Sequence, residues 1–240
     1  MTAVPGMTSA PQTDDASSAS TRRLVGIAAI ALTVVIAVCA GALIGNRMAG
    51  DQPSTDSVEA GFARDMQVHH AQAVEMSYAV TLATDDDEVR QIAFDILTSQ
   101  QGQIGRMAGW LVDWDLSPHS PEPVMAWMSS DAGDGHDMEG MDHSRDGDDT
   151  GEDDGALMPG MATDTELEKL RGLDGKRAEV FYLQLMTDHH KGGVHMAEGC
   201  AARCTVGVEK RLAQGMVEAQ ESEIALMADM LEERGARPRP

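Results

Sequence analysis

The sequence predicts an all-α protein, a four-helix bundle preceded by a single N-terminal transmembrane helix. Three observations point there. An eleven-residue pattern containing a His-His pair occurs twice, 120 residues apart. Four long segments carry apolar residues at helical spacing, with turn-forming residues between them. Near the N-terminus, a run of 22 residues has no charge.

The N-terminal region divides by composition. Residues 1–23 are rich in Ser, Thr, Ala, Pro and Asp and are expected to be disordered. Residues 24–45 would form a helix of roughly 33 Å at 1.5 Å per residue, enough to span a bilayer. Arg22 and Arg23 precede the run and only Arg47 follows closely, which places the N-terminus in the cytoplasm and the bundle outside. An uncleaved anchor is the favoured reading. Ala40-Gly41-Ala42 offers a cleavage site for the alternative, a secreted protein freed from a signal peptide. Either compartment permits disulfides. Residues 46–56 form a polar linker.

The bundle is expected over residues 57–235. Its first helix runs over about 57–82. Asp85-Asp86-Asp87-Glu88 then supplies a cap and an acidic first turn, which suits the positive end of a helix dipole. The second helix ends near Trp114, ahead of Pro118, Pro121 and Pro123. Residues 115–163 are read as a crossover loop, acidic and Gly-rich over 129–156. Thr163 and Glu166 make a capping box for a short helix near 164–171. The third long helix covers about 176–202 and the fourth about 206–234, stopped by Gly235. The two pairs, 57–114 and 176–234, each bury only one seam alone, so they close most economically into one bundle.

The formal charge of −22 repels nucleic-acid phosphates and attracts cations. Three Phe, three Trp and two Tyr stand against 17 Met, so methionine as core filler is the plain reading of many of them. Three cysteines without C-x-x-C spacing give no structural zinc ribbon.

The repeated pattern is M-x-x-H-H-x-x-[A/G]-x-x-M. It comprises Met66, His69, His70, Ala73 and Met76, then Met186, His189, His190, Gly193 and Met196. At 100° per residue all five positions fall within an arc of about 120°. One helix face thus carries two imidazoles and two thioethers, with a small residue where a larger one would block approach. Soft sulfur with imidazole selects copper, Cu(I) above all, over magnesium, calcium or manganese. Neutral imidazole is required, so release is expected as pH falls below about 6.5. His195 has Glu75 as its counterpart and is peripheral.

The partner helices carry matching apolar stripes, each with a Gln near its centre: Gln100 and Gln220. Each is expected to hydrogen-bond a motif His and to orient the ring; a Gln reaching water at a bundle end is the alternative. In the acidic loop, His136, Met138, Met141 and His143 form a cluster, with Met158 and Met161 beyond it. These residues are candidates for metal capture, against a solvated linker with incidental Met. Cys200 and Cys204 lie where the third helix ends. If the helix unwinds there they can form a small disulfide loop; a thiolate copper site is the other possibility.

The repeated motif, with Gln100-Gln101 through Met107 and Gln220 through Met227 on the partner helices, resembles the CopM-like family, a former domain of unknown function. The resemblance covers about 57–114 and 157–235. It implies a ferritin-like four-helix bundle outside the cytoplasmic membrane and copper ligation by Met66, His69, His70, Met76, Met186, His189, His190 and Met196. Lys191-Gly192-Gly193 and the cysteine pair depart from that pattern. The expected function is a membrane-anchored, extracytoplasmic copper-binding protein that buffers or carries the ion without a catalytic step. The rivals are a structural or interaction bundle and a ferritin-like metal oxidase. A di-iron oxidase would need glutamates and E-x-x-H, which the motif stripes lack.

Overall fold

The computed structural model describes residues 52–129 and 154–240. The tail 1–23, the apolar run 24–45 and the loop residues His136, Met138, Met141 and His143 lie outside the described residues. Among the described residues no helix is long and apolar enough to cross a membrane.

Residues Pro53–Pro240 form one compact unit. It is all-helical among the described residues: α1 Val58–Ala83, α2 Asp87–Asp113, α3 Ala126–Ser129, α4 Asp164–Arg171, α5 Lys176–Arg203 and α6 Gly207–Glu233. The boundaries follow from local chemistry. Ser57 Oγ accepts from Ala60 N at 3.1 Å and starts α1. Asp86 Oδ1 accepts from Glu88 N and Val89 N at 3.1 and 3.0 Å and starts α2. The expected capping box of Thr163 and Glu166 is present on α4. Gly235 takes φ 67° just past α6, a conformation that favours glycine.

α1 packs on α2, α5 packs on α6, and the two hairpins meet through α1 and α5. The two His-His helices are therefore the inner pair of a helical bundle. Two apolar clusters fill it. One holds Met76, Met186, Ile96, Tyr182 and Met227; the other holds Phe62, Met66, Met107, Met196 and Met216. At one end Arg234 braces the bundle. Its guanidinium donates to Glu179 Oε2 at 2.9 Å and pairs with Asp86 at 2.9 Å, while Thr84 Oγ1 donates to Glu179 Oε1 at 2.7 Å.

Within the crossover expected as loop over 115–163, the described residues include one short helix, α3. α3 docks Trp127 against Phe62 edge to face at 5.7 Å, and Trp127 Nε1 donates to Asp65 Oδ2 at 2.8 Å. A Cβ on Gly61 would stand 2.5 Å from the Trp127 side chain, so the glycine admits the indole. A four-residue helix is too short to leave a periodic signal in the sequence.

Candidate metal centre

Both His-His segments lie in the interior. Met66, His69, His70, Ala73, Met76, Met186, His189, His190 and Met196 are all fully buried. Residues 71–80 and 191–200 share one pattern of burial along the helix, as a duplication requires. The rings of His69 and His189 lie 3.8 Å apart at the α1–α5 interface, flanked by His70 and His190, each 6.3 Å from its neighbour. The four motif thioethers divide between the two apolar clusters on either side of this imidazole layer: Met66 with Met196, Met76 with Met186.

Each imidazole uses Nε2 and leaves Nδ1 without a partner. His69 Nε2 donates to Pro159 O at 3.2 Å and His189 Nε2 to His69 O at 2.9 Å. His70 Nε2 donates to Gln103 Oε1 at 2.6 Å and His190 Nε2 to Glu223 Oε2 at 2.7 Å. The partners are carbonyl or carboxylate oxygens, which only accept, so the proton sits on Nε2. Nδ1 then carries a lone pair, and all four Nδ1 atoms are buried with no hydrogen-bond partner. Burial keeps His69, His70 and His189 neutral. It lowers His69 to about 4 and, helped by His69, lowers His70 to about 3; it also holds His189 well below its ordinary value.

Gln100 and Gln220 do not orient these rings. Both are buried, yet Gln100 Oε1 and both polar atoms of the Gln220 amide have no partner. The ring partners are the residues three further on, Gln103 and Glu223. Three positions along a helix share a face, so the longer reach falls to the half-buried position at the rim of the stripe. These residues also stand 120 apart in sequence, a signal that was available. Gln220 has another use: a Cβ on Gly193 would meet its Oε1 at 2.3 Å, so the glycine makes room for the amide.

Met158 and Met161 belong to a strap laid across both inner helices. The Gln72 amide clamps it, donating to Ala162 O at 2.9 Å and accepting from Ala162 N at 2.7 Å. Met158 is buried in the second apolar cluster and Met161 packs partly buried against it. Gly192 accounts for half of the unusual Gly-Gly pair, because a Cβ there would stand 1.8 Å from Pro159 O. Gly160 adopts φ 76°, and its own Cβ would lie 2.2 Å from Asp188 O. His195 is only half-buried, in keeping with a peripheral place.

Cys200 and Cys204 form a disulfide without the expected unwinding at Ala202: α5 holds through Arg203, and Cys204 N still donates to Cys200 O at 2.7 Å as the chain leaves the helix. Among the described residues, no three of the four imidazoles bring their nitrogens within 4.8 Å of one another.

The family described as "Domain of unknown function (DUF305)" matches residues 59–231. The chain belongs to the DUF305 family. The CopM-like resemblance carried by the motif is thereby borne out. A DUF305 protein of Streptomyces coelicolor, described as secreted, is 57% identical; the match covers 78% of this chain and 99% of that one, with a TM-score of 0.65. A DUF305 fragment from Deinococcus radiodurans is 27% identical over 73% of this chain and 96% of that one, TM-score 0.56. CopM in its Cu(I)-bound form is 16% identical over 74% of this chain and 96% of that one, TM-score 0.52, a likeness of fold. Among curated proteins none matches. The two His-His segments thus stand on the inner helix pair of a fold that these relatives share.

Proposed function

We propose that this DUF305 chain is an extracytoplasmic, membrane-anchored copper-binding protein that buffers or carries the ion, Cu(I) above all, with a ferritin-like bundle as its scaffold. One observation carries the reading: four fully buried imidazoles, each proton-fixed at Nε2, each with an unpartnered Nδ1. A buried acceptor left unsatisfied costs about 1–3 kcal/mol. A cation that takes those lone pairs removes the cost. The thioethers of Met66, Met76, Met186 and Met196 line the same helix faces and make the donor set soft, which favours Cu(I). Because the imidazoles do not gather in threes, sulfur must complete any site of three ligands. The Cu(I)-bound CopM structure of the same fold supports copper among the soft ions. Met158, in the second apolar cluster, and Met161, packed against it, add thioethers to the donor set, and His136, Met138, Met141 and His143 of the acidic loop are further candidates for capture.

The anchor at 24–45 and the extracytoplasmic placement rest on the apolar run and its flanking arginines; the secreted relative agrees with the compartment. Buffering or carriage needs no catalytic step. The imidazole layer holds one carboxylate contact, from Glu223, which is a poor basis for a carboxylate di-iron oxidase.

The test is Cu(I) titration of the full-length protein against a chromophoric chelator. Tight binding is expected in the native chain and should vanish in the His70→Ala/His190→Ala double variant with helix content unchanged. Affinity that survives the double change would sink the assignment and move the ligands to the loop. A chain lacking residues 130–153 checks that outcome.

A further inference from the structure

A separate set of ligating groups lies where α1 begins, α5 ends and α6 begins. Both sulfurs of the Cys200–Cys204 disulfide and a carboxylate oxygen of Glu209 lie within 4.8 Å of one another. All three residues are buried, Glu209 completely. Neither Glu209 oxygen has a hydrogen-bond partner. Its neighbour Glu59 is occupied, accepting from Thr205 N at 2.6 Å and Thr205 Oγ1 at 2.9 Å. Burial raises the Glu59 carboxyl, but the hydrogen bonds from Thr205 outweigh it and hold the group below its ordinary value. Glu209 therefore faces a charged neighbour from an apolar site, and burial together with Glu59 pushes it up to about 9. A neutral carboxyl still has a donor and an acceptor to satisfy. Packing gives no reason for an acid at this position.

We propose that Cys200, Cys204 and Glu209 form a redox-gated site for a thiophilic divalent cation of the zinc class, closed by the disulfide and opened by its reduction. The electrons and protons balance with a dithiol as reductant. The dithiol gives two electrons and two protons, the Cys200–Cys204 bond breaks into two thiols, and the dithiol becomes a disulfide. The cation then displaces both thiol protons and the carboxyl proton of Glu209, forming two metal–sulfur bonds and one metal–oxygen bond. Transfer of the two electrons to an oxidised dithiol, which takes two protons from water to become the dithiol, re-forms the protein disulfide, frees the ion and lets Glu209 regain its proton from water.

The donor set chooses the ion. Sulfur disfavours magnesium and calcium, which take oxygen. Cu(I) is satisfied by the two sulfurs and would leave Glu209 unused. Two thiolates with the Glu59 and Glu209 carboxylates place four negative charges together, which a divalent ion offsets better than a monovalent one. Zinc takes thiolate and carboxylate together, with a fourth position left for water. The Cα atoms of Cys200 and Cys204 lie 4.8 Å apart at the end of α5, so opening the bond leaves the two thiols close together.

The test is zinc binding by the full-length protein, oxidised and dithiol-reduced, with Co(II) as the spectroscopic probe. The reduced form should bind one more equivalent than the oxidised form and show a sulfur-to-Co(II) charge-transfer band. Binding at the imidazole layer is common to both forms and cancels in the difference, so failure here is distinguishable from failure of the copper reading. Cys200→Ser/Cys204→Ser should lose the extra equivalent. Glu209→Gln, neutral and similar in shape, should keep the thiols and weaken zinc at least tenfold. Equal stoichiometry in the two redox forms overturns the site, as does unchanged affinity in Glu209→Gln. Loss of helical signal on reduction overturns it too, because the open form must be folded.

Discussion

Gln103 and Glu223 occupy equivalent places in the two halves, yet one offers His70 a carboxamide and the other offers His190 a carboxylate. The carboxylate favours positive charge on whatever His190 holds. Removing such a supporting group costs about 10–100-fold in metal affinity. Glu223→Gln should therefore weaken one class of Cu(I) site by that factor, and Gln103→Glu should strengthen the other, both read by competition titration. The same scale corrects the expected pH of release. The unperturbed histidine value puts release below about 6.5. Burial instead holds His69 near 4 and His70 near 3, so protons compete only in stronger acid. Cu(I) affinity measured from pH 7 to 5 should stay flat and fall on approach to pH 4. The motif histidines and methionines were legible in the sequence because they repeat on a helical face. Their true ring partners were not, since a half-buried Gln and Glu at the rim of an apolar stripe look like ordinary surface.

Among the elements, the long helices were legible almost to the residue. Periodicity, the Asp86 cap and Gly235 fix their ends independently of tertiary contacts, as the Thr163–Glu166 box does for the short α4. The strap at 158–162 has no period. Its conformation comes from the Gln72 clamp and from the close approach of Pro159 and Gly160 to α5, which a linear reading does not display. Gly192-Gly193 is its one trace in the sequence, a departure from the motif that the linear pattern leaves without a reason. That reason makes a prediction. Gly192→Ala places a methyl 1.8 Å from Pro159 O, so the strap must lift. Overpacking of this kind costs about 1–3 kcal/mol. Chemical denaturation should show the loss, and His69, deprived of its Pro159 acceptor, should move in its NMR spectrum while His190 stays.

Over the whole molecule, buried groups of opposite kind set a pH of greatest stability. His69, His70 and His189 have folded values depressed below their unfolded 6.5, so their contribution is intact above 6.5 and is lost as pH falls toward about 4 and then 3. Glu209 is the reverse: raised from 4.5 to about 9, its contribution is intact below 4.5 and is lost as pH rises toward 9. Between 4.5 and 6.5 the unfolded chain tends to bind three histidine protons that the native chain lacks, while the native chain keeps one carboxyl proton. The difference is 3 − 1 = 2 protons, so stability climbs with pH by up to about 2.7 kcal/mol per unit. Above 6.5 the histidine advantage is complete and only the Glu209 proton remains, so stability declines by up to about 1.4 kcal/mol per unit. The metal-free, oxidised protein should therefore be most resistant to urea near pH 6.5, with the steeper fall on the acid side. Glu209→Gln should flatten the alkaline limb and leave the acid limb intact. An acid limb as shallow as the alkaline one would mean that the imidazoles are not held neutral in the interior. Saturating Cu(I) should raise the curve by RT ln(1 + [L]/Kd), because only the folded chain presents its buried nitrogen and sulfur donors together.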